Sequence, residues 1–388
     1  MIETTLGDLC IGKGSYGIGA SAIDYSIDLP AYLRITDIRD DGTLDLSTRK
    51  SVADPKASFY MLEENDIVFA RTGSSTGRNY FYDPRDGKFA YAGFLIKFSI
   101  DPDRVNPRYI KYYAQSKLYW DWIASFNSGS TRGNINAKTY EALPIMLPTR
   151  NTQNIIVSFL DSLSEKIRIN RKINDYLEEL ASVLFKKSFG GLSRTAVLSD
   201  LATITMGQSP AGSSYNESGI GAVFYQGRGE FGWRFPTQRL FTTEPKRIAQ
   251  TNDVLMSVRA PVGDLNIAYE SCCIGRGLAA ISSKYSSYCF YLMRSLRKEL
   301  DAYNGDGTVF GSINRKALNE LSIPLPQSKD LDAFETAASP IDRRIRENET
   351  ENRRLCELRD ALLPKLMSGE IDVSKVNIMQ VNNHLSDC

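Results

Sequence analysis

The segment GSTRGNINAKTYEALPIMLP at residues 129–148 recurs later in the chain as GTVFGSINRKALNELSIPLP at residues 307–326. The two copies align without a gap at a constant offset of 178, and nine of the twenty positions are identical. The match then extends through a helical pattern, so that residues 129–191 correspond to residues 307–369. A duplicated unit in one chain indicates internal pseudo-symmetry, and a pseudo-twofold protein typically has a twofold or bipartite partner.

Composition is that of a globular protein of two or three domains, with 388 residues, 42% apolar and 24% charged. No apolar run is long enough to span a membrane, and the N-terminus lacks a signal-peptide pattern, which predicts a cytoplasmic protein. The six cysteines have no paired spacing and are typical of free thiols. His384 is the single histidine, which argues against His-based catalysis and His-rich metal sites. We therefore predict no catalytic and no metal-binding residues.

The repeat divides the chain into alternating mixed and helical blocks. The mixed blocks, residues 1–150 and 192–327, are rich in Gly, Tyr and β-branched residues, and each is expected to form an α+β domain. The helical blocks are residues 151–191 and 328–369, and a C-terminal tail covers 370–388. The predicted fold class is α+β, with two pseudo-twofold-related domains joined by two long helices.

Each helical block has apolar residues spaced alternately by four and three, as in a coiled-coil seam. The pattern predicts helices over 151–189 and 328–367, packed against each other as an antiparallel coiled coil. At 1.5 Å per residue, a 38-residue helix is roughly 57 Å long and could hold two domains at a set separation. Ser339-Pro340 resembles a helix start, which predicts a break or kink there.

Two asparagines interrupt the first seam, and both recur in the second copy. They are Asn170 and Asn174 in the first helix, and Asn348 and Asn352 in the second. An antiparallel pairing would bring the two pairs together near the pseudo-axis, where buried polar groups fix the register of a coiled coil. The alternative is that these asparagines face solvent on slightly overwound helices.

The twofold order of motifs resembles a known family. A strand such as NDIVFAR at 65–71 precedes a Gly-rich loop, then G-x-x-x-G-x-I-N-x-K, I-x-L-P and a long helix, and LRDALLPKLMSGEI follows at 358–371. This arrangement is similar to the specificity subunit of type I restriction–modification systems. The resemblance covers nearly the whole chain. It implies two target-recognition domains, each reading one half of a bipartite double-stranded DNA site, with the helices as spacer.

The resemblance also implies the partners and where cofactors bind. Two methyltransferase subunits would dock on the helices and the C-terminal segment, and a restriction subunit remains open as a further partner. S-adenosylmethionine and ATP would bind those partner subunits, and no cofactor is expected in this chain. The chain itself would be a non-catalytic specificity subunit.

Three kinds of segment carry side chains suited to DNA. The loops RTGSSTGR at 71–78 and RAPVG at 259–263 follow predicted strands, although plain tight turns would look similar. The I-N-x-K motifs hold an asparagine and a lysine shared by both copies, which should bind phosphate or cap the next helix. In the segments before them, positions that differ, such as Arg132 against Phe310, are better candidates for reading bases. YQGRGEFGWR at 225–234 offers Gln and Arg among aromatics that are more often core residues. The candidate DNA contacts are Arg71, Thr72, Ser74, Ser75, Thr76, Arg78, Ser130, Thr131, Arg132, Lys138, Gln226, Arg228, Arg234, Arg259, Thr308 and Lys316.

Two other functional classes compete with DNA recognition. A two-headed interaction protein with a coiled-coil spacer would show no salt-sensitive DNA affinity. A methyltransferase or nuclease acting alone would bind cofactor or metal by itself. Asn106-Pro107-Arg108-Tyr109 resembles the base-holding motif of adenine methyltransferases, but Arg replaces a proline and the segment leads into a helical pattern instead of following a buried strand.

Overall fold

The computed structural model describes residues 1–126, 134–305 and 311–373, and the chain forms two compact units. Unit 1 comprises residues 1–168 together with residues from 351 onward, and unit 2 comprises residues 169–350. The boundary falls inside two long helices, so each unit contains a part of both. No helix within the described ranges is long and apolar enough to cross a membrane.

Unit 1 is built on two four-stranded sheets and a two-stranded one. The elements in chain order are β1 (Ile2–Thr5), β2 (Ser15–Tyr16), β3 (Ala22–Asp24), β4 (Ala31–Leu33), β5 (Lys50–Val52), β6 (Asp66–Ala70), β7 (Asn79–Phe81), β8 (Phe89–Tyr91), β9 (Leu95–Ser99), α1 (Pro107–Tyr113), α2 (Lys117–Ala124), α3 (Ala137–Glu141), β10 (Pro144–Leu147) and the long helix α4 (Arg150–Phe189). The sheets have the orders β2-β9-β6-β7, β3-β5-β4-β8 and β1-β10. All neighbouring strands are antiparallel except β4 and β8.

Unit 2 repeats this plan with one additional strand. Its elements are β11 (Ala196–Val197), α5 (Leu198–Leu201), β12 (Thr203–Met206), β13 (Tyr215–Asn216), β14 (Ala222–Tyr225), β15 (Leu240–Thr242), β16 (Ile248–Ala249), β17 (Val254–Ser257), β18 (Leu265–Ile267), β19 (Cys272–Ile274), β20 (Leu278–Ser282), α6 (Ser286–Ser295), α7 (Arg297–Asp301), α8 (Arg315–Asn319), β21 (Ser322–Ile323) and the long helix α9 (Ser328–Ser368). The sheet β12-β20-β17-β18 corresponds to β2-β9-β6-β7, and β11-β21 corresponds to β1-β10. The second large sheet has five strands, in the order β13-β15-β14-β19-β16.

The predicted strands at 65–71 and 252–259 are confirmed as β6 and β17, the central strands of equivalent sheets. Every residue of both strands is buried, because each strand is paired on both edges and covered on both faces. A tight turn precedes each one, with Asn65 at φ 69° and Asn252 at φ 73°. Asparagine tolerates this left-handed conformation better than most residues, which explains the shared Asn-Asp at both strand starts.

Both long helices are confirmed, α4 with bounds Arg150–Phe189 and α9 with bounds Ser328–Ser368. The prediction at Pro340 was a break or a kink, and the break is wrong, because α9 is one helix through that residue. The kink stays a prediction. A proline inside a helix removes one backbone hydrogen bond. Ala338 and Ile345 on either side are fully buried in the core of unit 2, and this packing holds the helix together across Pro340.

In unit 2 the parts of α4 and α9 run in opposite directions. Asn348 Nδ2 donates to Asn174 Oδ1 at 2.7 Å near one end of the unit. Toward the other end, the rings of Phe185 and Phe334 lie 5.9 Å apart. The Asn174–Asn348 contact is the one predicted from the seam. All four seam asparagines are buried, with exposures of 1–5%, so the solvent-facing alternative is wrong.

In unit 1 the remaining parts of the two helices are also antiparallel. Lys166 Nζ and Glu351 Oε1 are 3.5 Å apart at one end. At the other end, Ile156 and Leu366 line one small cavity of about 140 Å³. These helix parts and the sheet β2-β9-β6-β7 share one apolar core, to which Leu160 and Leu363 contribute.

Candidate nucleic-acid interface

The loop RTGSSTGR at 71–78 is a tight hairpin between β6 and β7. Gly77 N donates to Ala70 O at 3.0 Å, and Ala70 N donates to Arg78 O at 2.7 Å, which closes the hairpin. Gly77 has φ 91°, and a Cβ there would lie 2.8 Å from Ile123 Cγ2, so a larger residue cannot replace it. The hairpin is therefore closed by backbone hydrogen bonds and packed on α2.

This hairpin lies beside the segment that precedes α3. Thr72 and Asn134 form an isolated antiparallel bridge, and Ile135 N donates to Arg71 O at 2.9 Å. Two stretches that are more than sixty residues apart in sequence and were each proposed to contact DNA are thus adjacent in unit 1.

The same juxtaposition occurs in unit 2. Arg259 and Ser312 form the corresponding bridge, and Ile313 N donates to Val258 O at 3.1 Å. Since Ser312 is the repeat equivalent of Asn134, the bridges align Arg259 with Thr72 and Val258 with Arg71. The two loops therefore occupy equivalent positions, as predicted. Arg259, however, is equivalent to Thr72 and not to Arg71, a difference of one residue.

The asparagine of each I-N-x-K motif caps a short helix. Asn136 Oδ1 accepts from Thr139 N at 2.9 Å at the start of α3. Asn314 Oδ1 accepts from Ala317 N at 2.9 Å at the start of α8. The capping alternative is thereby confirmed for both asparagines.

Lys138 and Lys316 follow these caps in the first turn of α3 and α8, and both are exposed. A lysine at the start of a helix gains nothing from the helix dipole, which favours anions at that end. Each short helix thus presents an exposed ammonium group just after the segment that is bridged to the loop, and an exposed ammonium group suits phosphate oxygens.

Other candidates in the first loop differ in accessibility. Ser74 is exposed, and Thr72 and Thr76 are partly exposed. The prediction for Ser75 is wrong, because this residue is 6% exposed and packed beneath the hairpin. Arg78 is partly exposed but engaged, since its Nε donates to Asp40 Oδ1 at 2.7 Å.

In the segment 225–234, Gln226 and Arg228 are exposed after β14. Arg228 forms an ion pair with Asp264, a carboxylate that Arg297 NH1 also contacts at 2.6 Å. The Asp264 charge is therefore already shared, and Arg228 could exchange this partner for a phosphate at small cost.

The prediction that Arg234 contacts DNA is wrong. Arg234 is 1% exposed, and its guanidinium lies 3.7 Å from the ring centroid of Phe290. Its NH1 contacts Glu178 Oε1 at 3.1 Å, and its NH2 pairs with Asp342. These carboxylates belong to α4 and α9, so Arg234 links the β-rich part of unit 2 to both helices of that unit through ion pairs.

Four of the sequence candidates, Ser130, Thr131, Arg132 and Thr308, lie outside the described residues. Asn106, from the segment resembling a methyltransferase motif, is the N-cap of α1. Its Oδ1 accepts from Arg108 N at 3.0 Å, and its Nδ2 donates to Asn154 Oδ1 at 2.9 Å. This role is structural.

Two aromatic residues at the loop were missed from the sequence. Tyr16, 41% exposed, lies under the Arg71 guanidinium, with 5.0 Å between the guanidinium carbon and the ring centroid. Phe94 is 59% exposed, and its backbone oxygen accepts a hydrogen bond from Arg71 N at 3.1 Å. Neither had a recognisable signal, because Tyr16 lies in an irregular Gly-rich stretch and Phe94 in a turn, and only tertiary structure brings them to Arg71.

Comparison with known proteins identifies one family across both repeats. The model of the type I restriction modification DNA specificity domain matches residues 5–179 and again residues 195–353. A putative type I restriction enzyme MjaX specificity subunit of Methanocaldococcus jannaschii is 28% identical over 365 residues, covering 86% of this chain and 85% of that protein. The type I restriction enzyme HindI specificity subunit of Haemophilus influenzae is 21% identical, covering 80% and 87%.

A solved structure shares the fold. The crystal structure of a type I restriction–modification S subunit from M. genitalium superposes with a TM-score of 0.56 at 17% identity, covering 94% of this chain and 95% of that one. At this identity the likeness concerns the fold alone.

Proposed function

The chain belongs to the type I restriction modification DNA specificity domain family, and on this premise we propose that its two repeats read the two halves of a bipartite DNA site. It is a sequence-specific DNA-recognition subunit of a type I restriction–modification system. In the proposal, residues 1–150 and 192–327 act as the two recognition domains. Residues 151–191 and 328–369 form an antiparallel coiled-coil spacer between them, and 370–388 is the tail.

One observation carries the proposal. In each unit, the loop after the central strand is bridged to the segment before a capped short helix, with Thr72 paired to Asn134 and Arg259 to Ser312. The exposed lysines common to both units, Lys138 and Lys316, suit the DNA backbone, which is the same in every sequence. The side chains that differ at equivalent positions suit the base edges in the major groove.

The test is to express this chain with the methyltransferase subunits of its own genome in a host without restriction systems, and to map methylated bases. A single bipartite motif, with two defined parts and an undefined spacer, is the expected result. Absence of any methylated motif, despite a stable complex, would contradict the proposal.

The spacer proposal is supported by the helix contacts inside each unit. The buried seam asparagines favour one register over others, and the hydrogen bond between Asn174 and Asn348 is one contact that depends on this register. Polar groups in an apolar seam reduce stability but prevent sliding, which a spacer of fixed length requires.

Recruitment of methyltransferase subunits, also proposed, is supported by a second apolar stripe on α4. Its five members repeat at steps of four and three and are all exposed: Ile169, Ile173, Tyr176, Leu180 and Val183. Stripes with this spacing bind amphipathic helices, which bury their own apolar face against them. The equivalent positions of α9 are mostly charged: Glu347, Glu351, Arg354, Leu358 and Ala361.

The recruitment is tested with a matched pair of substitutions. Leu180→Glu and Leu358→Glu change repeat-equivalent residues of similar exposure, 49% and 44%, on α4 and α9. Leu180→Glu should weaken methyltransferase binding about ten- to a hundredfold, since it places a charge in the stripe. Leu358→Glu should have little effect. Equal binding by both variants and the unsubstituted chain would contradict docking on this stripe.

Chemistry is assigned to partner subunits in this proposal. S-adenosylmethionine would bind the methyltransferase subunits, and ATP would bind a restriction subunit where one is present. This chain, acting at cytoplasmic DNA, contributes recognition and spacing and is non-catalytic.

A further inference from the structure

Arg71 differs from the other candidate arginines in what holds its side chain. Its backbone is fixed on both sides, since Arg71 N donates to Phe94 O at 3.1 Å and Arg71 O accepts from Ile135 N at 2.9 Å. The guanidinium stacks on Tyr16, and the Tyr16 hydroxyl in turn accepts from Ala137 N at 3.1 Å. Within the described residues, the guanidinium makes no hydrogen bond, and its Nε is shielded from solvent.

Two other candidate arginines, by contrast, have carboxylate partners. Arg78 pairs with Asp40, and Arg228 pairs with Asp264, so their charges are partly neutralised before any ligand arrives. Stacking on an aromatic ring orients a guanidinium but leaves its in-plane donors unused. Arg71 is thus oriented while its donor groups have no protein acceptor among the described residues.

The equivalent positions in unit 2 can be assigned from the strand registers. Tyr16 pairs with Ile96, which pairs with Phe69, and in unit 2 Met206 pairs with Ala279, which pairs with Met256. Met206 is therefore the equivalent of Tyr16. The hydrogen bond from Arg71 N to Phe94 O has its counterpart in the bond from Val258 N to Gly277 O, at 2.9 Å.

The Tyr–Arg–Phe group of unit 1 is therefore replaced in unit 2 by Met206, Val258 and Gly277. The backbone hydrogen bond to the neighbouring turn, the bridge and the capped helix occur in both units. A phosphate contact would be useful in both halves, so its side chains should occur in both units. Side chains that differ between the units, on a main chain that recurs, are instead suited to reading the base sequence.

We propose that Arg71 reads a guanine in the half-site bound by the domain of residues 1–150, with Tyr16 as a positioning residue that orients the guanidinium. The inference rests on the proposed function and further specifies which residue reads which base in which half-site. Arginine donates two hydrogen bonds to O6 and N7 of guanine in the major groove, which needs a planar fork held at a set angle. Phe94, bonded to the Arg71 backbone, offers an apolar contact, and Lys138, which follows the Ala137 bonded to Tyr16, offers a phosphate contact.

The experiment maps the methylated motif of the reconstituted complex for the unsubstituted chain, Arg71→Lys, Tyr16→Leu and, as control, Arg259→Lys in unit 2. Lysine keeps the charge but lacks the planar fork, so a phosphate contact survives the change whereas guanine reading does not. Exchange of residues 1–150 with those of a relative identifies which half-site belongs to this domain.

We expect that half-site to contain a guanine at which Arg71→Lys lowers discrimination about 5- to 150-fold, with the other half unchanged. Tyr16→Leu should lower discrimination at the same position by a smaller factor than Arg71→Lys does. Arg259→Lys should leave discrimination at that position unchanged. A purely structural effect would lower methylation at all sites equally. Co-purification with methyltransferase and an unchanged melting temperature show that a variant is folded.

Three results would overturn the inference while leaving the proposed function intact. They are a half-site without guanine, a motif unchanged by Arg71→Lys, and a uniform loss of methylation in a folded Arg71→Lys variant. Failure of the proposed function is a different result, since the unsubstituted complex would then yield no bipartite motif at all.

Discussion

Replacement of Arg234 by methionine should destabilise unit 2 strongly. The side chain is 1% exposed and compensates two carboxylates, Glu178 and Asp342, that are themselves mostly buried. Removing one partner of a buried ion pair costs about 3–5 kcal/mol, because the other charge stays buried. Arg294 still pairs with Glu178, and the Tyr291 hydroxyl still donates to Asp342 at 3.0 Å, so the lower end of about 3 kcal/mol is expected.

For a unit of this size, about 3 kcal/mol lowers the melting temperature by about 6–12 °C. Differential scanning calorimetry of the chain should show this shift in the transition that includes unit 2. Arg228→Met is the matched control, since it removes an exposed arginine whose partner Asp264 keeps Arg297. Its effect should stay below about 1 kcal/mol. If Arg234→Met melted within 1 °C or so of Arg228→Met, the role assigned to the buried cluster would be refuted.

The remaining predictions concern the helix seam, the phosphate contacts and the thiols. Asn174→Leu should lower the free energy of unfolding, measured in urea, by about 1–3 kcal/mol, because the buried Asn348 amide loses its acceptor. The double variant Asn174→Leu/Asn348→Leu should recover most of this loss. If the effects of the two single substitutions simply added in the double variant, the two residues would not interact. Lys138→Ala should weaken DNA binding at all sequences and reduce the magnitude of the slope of log affinity against log salt concentration by about one. A changed base preference with an unchanged slope would contradict the phosphate role. Burial raises the pKa of the Cys10, Cys272 and Cys289 thiols to about 12. They should resist iodoacetamide at pH 8 in the native chain and react after denaturation, as read by mass spectrometry, and native alkylation at any of them would contradict their burial.

The helices and the order of elements could be predicted from the sequence because their signals are local and duplicated. A seam with steps of four and three predicted both helices, and the predicted ranges 151–189 and 328–367 differ from the observed bounds by at most one residue. The two copies of Asn-Asp marked the starts of the central strands. The error at Pro340 came from reading a local signal alone. Burial of the residues around it, which the seam itself indicated, outweighs the loss of one backbone hydrogen bond.

The site was less predictable, because tertiary contacts decide which side chains are accessible. Arg234 has the same local context as a DNA-binding arginine, but its partners lie 56 and 108 residues away in sequence, in two different helices. Likewise, the equivalence of Arg259 with Thr72, one residue away from Arg71, follows from the bridges between distant segments. Tyr16 and Phe94 contact Arg71 only because β9 pairs with β2 on one side and with β6 on the other in one sheet.

The central claim is that each repeat reads one half of a bipartite site. Its most direct test is to replace residues 1–150 by the corresponding residues of a relative with a known, different motif, and to map methylation with the same methyltransferase subunits. The account predicts that one half of the motif changes to that of the relative, while the other half and the spacer length stay the same. A change in both halves, or in neither, would contradict it.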